Sequence, residues 1–90
     1  MPRLSDVYRQ VAERDGGLCL FCGRPAVDPA HILPKGRFPE LKYDPANIMS
    51  TCRECHHITH TPKGRKQAIV LMRELYGYSY EAAGYQEYLE

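Results

Sequence analysis

Four cysteines in two tight pairs, Cys19 with Cys22 and Cys52 with Cys55, constrain this chain more than any other feature. A 90-residue chain buries too thin a core to divide into two stable units, so one domain spanning 1–90 is expected, and a domain of this size usually needs a staple. Two Cys-x-x-Cys pairs can each offer two thiolates to one tetrahedral zinc, and no other residues compete for them. Gly23, just after Cys22, permits the positive φ with which backbone amides turn toward the sulfurs of a zinc knuckle.

No apolar stretch follows Met1, Pro2 and Arg3, and no run reaches the length of a bilayer span, so neither a signal peptide nor a membrane segment is expected. The expected setting is cytoplasmic and reducing, where thiols bind metal rather than form disulfides. The net charge of +1 hides an asymmetry. Residues 31–66 carry seven basic side chains (Lys35, Arg37, Lys42, Arg53, Lys63, Arg65 and Lys66) against three acidic ones, while residues 67–90 sum to −3. An anionic partner is the functional inference from that excess, and a solvated charged face is the plain one.

Apolar spacing and stop signals predict a helix over about 5–15, with Leu4, Val7, Tyr8 and Val11 on its buried face and Gly16 and Gly17 after it. Short strands are expected over 18–21 and 27–33, then a basic surface loop over 34–45. A second helix is expected to start near Asn47 or Cys52 and run to about His60. Thr61 and Pro62 read as the cap and first residue of a third helix over about 62–76, with Ile69, Met72, Leu75 and Tyr76 as its apolar stripe and Gly77 as its stop. A last helix over about 79–89 would carry Tyr80, Tyr85 and Tyr88, an acidic, tyrosine-rich surface suited to packing or a partner.

His31, Asn47 and His56 fall between and just after the cysteines, and His60 lies one helical turn beyond His56, on the same helix face. Together, Cys19-Leu-Phe-Cys22, Ala30-His31-Ile32-Leu33-Pro34, Asn47-Ile48 and Cys52-Arg-Glu-Cys55-His56 resemble the zinc-stapled branch of the HNH endonuclease family, over residues 16–61. The resemblance implies a small α+β fold with a ββα-metal (His-Me finger) core, a four-cysteine zinc site and flanking helices. It implies His31 as the general base and Asn47 as the residue tying the loop to the base-bearing strand, with direct metal ligation or a simple helix cap as its alternatives. It implies His56 as a ligand of one catalytic divalent ion, Mg²⁺ or Mn²⁺, and His60 as the further histidine seen in the bacterial-toxin branch. DNA would be the substrate, with 5′-phosphate and 3′-hydroxyl products. Ala30 departs from the commoner Asp or His, which leaves the ion to His56, His60, water and phosphate, or to Asp28, or else marks a domain that has lost activity. The basic residues of 35–66 would contact DNA phosphates, and His57 would be exposed or touch phosphate.

Three rival assignments use parts of the same text. Cys52-Arg-Glu-Cys55-His56 also spells a haem-attachment pattern, but haem would require export and would leave Cys19 and Cys22 idle, so no haem is expected. Thiol-disulfide chemistry lacks its usual βαβ setting. A non-catalytic zinc-ribbon module that binds nucleic acid or protein needs only the cysteines and the charge, and is the main alternative.

Overall fold

The computed structural model describes residues 3–80. The order is helix α1 (Leu4–Arg14), strand β1 (Asp28–His31), two single 3₁₀ turns (Pro39–Leu41 and Pro45–Asn47), strand β2 (Ile48–Thr51), helix α2 (Arg53–Thr59) and helix α3 (Pro62–Tyr76). The chain is thus a small α+β protein with a two-stranded sheet and, among the described residues, three α-helices. No helix among them is long and apolar enough to cross a membrane.

α1 buries Val7 and Val11 against Ile48, with Asp6 in its first turn, where a negative charge suits the helix dipole. Gly16 and Gly17, at φ +67° and +72°, turn the chain out of α1 into the first cysteine pair. The expected strand over 18–21 does not form. It forms an isolated bridge between Leu18 and Pro25 and one bond from Leu20 N–H to Ser50 O, because the segment closes a knuckle in which Cys19 N–H donates to Arg24 O and Gly23 N–H to Cys19 O.

The partner of β1 is β2, antiparallel, with Asp28 opposite Thr51 and His31 opposite Ile48. Residues 48–51, expected near a helix start, are therefore strand, and α2 begins only at Arg53. All four β2 residues are buried, so no alternation of apolar and polar residues announces the strand. β1 is also shorter than the stretch 27–33 expected for it; Ile32 and Leu33 leave the ladder and enter the core.

α3 starts as the sequence suggests. The Thr61 hydroxyl accepts from Gly64 N–H, Pro62 is the first helical residue, and Gly77 at φ +73° ends the helix. Its buried face is Gly64, Ala68 and Met72, spaced four apart, whereas Leu75 is 53% exposed. Gly64 allows α2 and α3 to touch: a Cβ there would lie 1.8 Å from Ile58 O. The main core joins Ala30, Ile32, Leu33, Met49, Ala68 and Met72 with Phe38, Leu41 and Tyr80. Of the last expected helix, Ser79 and Tyr80 are not helical and the remainder lies outside the described residues.

Candidate metal centre and catalytic cleft

The two knuckles meet. All four sulfurs lie within 4.8 Å of one another, and Cys22 Sγ is 3.6 Å from Cys52 Sγ. A tetrahedral zinc with Zn–S bonds of about 2.3 Å requires sulfurs about 3.8 Å apart, so the donor set and its size fit that ion. Cys19, Cys52 and Cys55 are buried beside Phe21, and Cys22 is exposed. Arg24 donates from Nε to Cys22 Sγ at 3.4 Å, and its Nη2 lies 3.9 Å from Cys52 Sγ. That guanidinium lowers the Cys22 thiol to about 6, while burial and the neighbouring thiols push Cys55 up. Gathering four such groups is favourable when a cation shares their charge.

A second site lies apart from the sulfurs. His31 on β1, His56 on α2 and His60 at the end of α2 line one cleft of about 310 Å³, together with Tyr8, Lys35 and Arg65. The β1–β2 hairpin and α2 present the histidines, α1 supplies Tyr8, and α3 supplies Arg65.

His31 Nε2 is 2.9 Å from Lys42 O. A carbonyl only accepts, so Nε2 carries the proton and Nδ1 keeps its lone pair. Tyr8 packs edge-on against the ring, with centroids 6.0 Å apart. Burial lowers the His31 pKa below its ordinary 6.5; the Lys42 carbonyl opposes this, and the charges of Lys35 and Lys42 add to it. The ring is thus neutral at pH 7.

Asn47 is 1% exposed, and both ends of its amide are engaged by one residue. Oδ1 accepts from Leu33 N–H at 2.9 Å, and Nδ2 donates to Leu33 O at 3.0 Å. Its own carbonyl accepts from Ile32 N–H at 2.8 Å. These bonds hold the segment just after His31 against the segment just before β2, and Asn47 closes a 3₁₀ turn whose cap is Asp44.

His56 Nδ1 lies 3.4 Å from Asp28 Oδ2, and its ring centroid is 5.1 Å from that of His60. Burial, then the nearby charges of His56, Arg65 and His57, lower the His60 pKa. Asp28 also pairs with Arg53 Nε at 3.6 Å. These three side chains are neighbours in pairs; among the described residues, the only group of three or more converging metal-ligating side chains is the cysteine cluster. Ala30 is fully buried in the main core opposite Met49, so its position is committed to packing. His57 is exposed.

The basic residues divide by place. Lys35 and Arg65 line the histidine cleft, and Arg65 Nε donates to Ile32 O at 3.2 Å. Arg53 stands at Asp28, and Lys42 extends over the Tyr43 ring. Lys63 and Lys66 line a separate groove with Phe21, Val70 and Leu71. Arg37 is exposed. Sequence patterns gave no sign of Tyr8 beside His31, which is 23 residues away, nor of Arg24 on the sulfurs, which is two residues from Cys22 but part of no recognised motif.

The HNH endonuclease family model matches residues 19–62. No curated protein and no solved structure matches the chain. That segment, just under half of the chain, holds both cysteine pairs, His31, Asn47, His56 and His60, and it is through this segment that the chain matches the HNH endonuclease family.

Proposed function

We propose that this protein is a metal-dependent DNA endonuclease that hydrolyses phosphodiester bonds on a ββα-metal core, formed by β1, β2 and α2. The observation that carries it is His31: a neutral imidazole with its Nε2 proton committed to Lys42 O, facing the same cleft as His56 and His60. In this reading the free Nδ1 takes a proton from water as the water oxygen bonds to phosphorus and the bond to the 3′ oxygen breaks; the departing oxygen takes a proton from solvent, leaving a 5′-phosphate and a 3′-hydroxyl. Asn47 acts at one remove, by holding the strand end that bears His31. Arg65, anchored on Ile32 O, and Lys35 bind the phosphate oxygens. Lys63, Lys66, Arg37, Lys42 and Arg53 form the wider pool for backbone-phosphate contacts, which position DNA without reading its sequence.

Zinc on Cys19, Cys22, Cys52 and Cys55 is structural. His56 with His60 or Asp28 offers two side-chain ligands to a second divalent ion, which suits Mg²⁺ or Mn²⁺, ions that retain several waters. Once bound, that ion would stabilise the charge growing on the phosphorane and the leaving oxygen. The free thiols suit a reducing, cytoplasmic setting.

A non-catalytic zinc module is the second reading, favoured by Asp28, His56 and His60 being neighbours only in pairs. Supercoiled plasmid separates the two. Zinc-loaded protein should nick or linearise it when Mn²⁺ or Mg²⁺ is added and stop when EDTA removes that ion; binding without cleavage under every divalent ion tried would leave the module.

A further inference from the structure

Four consecutive backbone carbonyls surround Asn47, and each is taken by a donor from elsewhere in the fold. Arg14 Nη1 donates to Pro45 O at 2.8 Å and Nη2 to Ile48 O at 2.7 Å. The Tyr80 hydroxyl donates to Ala46 O at 2.7 Å and lies 3.2 Å from Asn47 Oδ1. Ile32 N–H takes Asn47 O. Arg14 is itself fixed: Asp15, whose side chain is fully buried, receives its Nε and Nη2, the Ser50 amide and the Tyr76 hydroxyl. Tyr80 is 6% exposed and belongs to the main core.

We propose that Arg14 and Tyr80, both outside the segment 19–62 that matches the family, are positioning residues for the cleft: they lock the backbone of 45–48 so that the Asn47 amide holds Leu33 and, through it, the strand end carrying His31. The inference rests on the nuclease reading for its catalytic consequence only. It follows from connectivity. Asn47 has one side chain with which to fix Leu33, and that amide is no better placed than the turn from which it projects. The turn Pro45–Asn47 is three residues long and has no ladder of its own. Three of its carbonyls and the next are held from α1, from Tyr80 beyond α3 and from the end of β1, so the loop is gripped on all sides. The functional unit therefore extends from at least residue 14 to residue 80.

Arg14→Ala would strand a buried Asp15 carboxylate and threaten the fold, so the test uses Tyr80→Phe, which removes one hydroxyl, in the full zinc-loaded chain. The first measurement is amide hydrogen exchange by NMR at Leu33, whose N–H is held by Asn47, against Met72 in α3 as reference. Exchange at Leu33 should quicken about fivefold relative to Met72, the loss of one hydrogen bond's worth of local protection. Equal changes at both amides would mean general destabilisation and would overturn the proposal. The second is a kinetic cycle on DNA: Tyr80→Phe should lower kcat with KM unchanged, and should have no further effect in an Asn47→Ala background. Additive losses, or an unchanged kcat despite the exchange result, would also overturn it. Should wild type not cleave at all, the nuclease reading fails, and the exchange result alone decides the clamp.

Discussion

At the residue scale, the proposed chemistry rests on which nitrogen of His31 is free. The Lys42 carbonyl fixes the tautomer, and burial keeps the ring neutral by lowering its pKa below 6.5. A base whose pKa is depressed is deprotonated throughout the neutral range and is lost to protonation only on acidification. Cleavage should therefore rise with pH to a midpoint below 6.5 and be flat from pH 7 to 8, as a pH–kcat profile at saturating metal would show. A rate still climbing through pH 8 would point to another base. The residues of the proposed site were legible as a pattern because HNH spacing is local: cysteine pairs, His31 before an aliphatic-proline turn, Asn47, and His56 after the second pair. Both amide atoms of Asn47 are bonded to Leu33, and the tethering role proposed for it is built on those bonds. What stayed hidden is long-range. Nothing near Arg14 and Asp15 in sequence says that they bond the backbone of 45–50, and nothing near Tyr80 says that its hydroxyl reaches Ala46.

At the element scale, the junction between α2 and α3 decides where His60 sits. α2 ends at Thr59, and α3 starts at Pro62 and crosses so closely that Gly64 admits no side chain. Gly64→Ala would gain helix propensity worth about 1 kcal/mol, but the new methyl would collide with backbone, so overpacking of about 1–3 kcal/mol or more wins. A thermal melt should show Tm lowered by about 10 °C, with His60 displaced from the cleft; an unchanged or raised Tm would refute the close crossing. Of the expected α3 stripe, Met72 is buried and Ile69 and Tyr76 pack against the core, and the same crossing explains the residues that the stripe omits. Gly64 and Ala68 pack through backbone proximity, which hydropathy undervalues, while Leu75 looks like core and is not. β2 was missed for a related reason: four wholly buried residues show no period-two pattern, and Leu18 to Phe21 look more strand-like though their sulfurs demand a turn.

At the scale of the whole molecule, two sites share one short helix. Cys52 and Cys55 open α2 in the four-cysteine cluster, and His56 and His60 leave it in the cleft, so a zinc ion held by the cluster would anchor the element that carries the histidines. Zinc binding to such a site is folding energy, about 10–16 kcal/mol for structural sites, and comparable with the entire stability of a small domain. A strong chelator that strips zinc should abolish the helical circular dichroism signal, which should return with added zinc, whereas dialysis that removes only weakly held Mn²⁺ or Mg²⁺ should leave it intact. Retention of fold after complete zinc removal would show that the core alone suffices.

The most direct measurement is plasmid cleavage by His31→Ala beside wild type, in Mn²⁺, with zinc content determined on both samples. His31 is half-buried at the end of β1 and distant in role from the sulfurs, so the variant should keep about one zinc per chain and its melt, yet lose cleavage by roughly 100-fold or more, in the range removed with a general base. Undiminished cleavage by a zinc-loaded, folded His31→Ala protein would contradict the account.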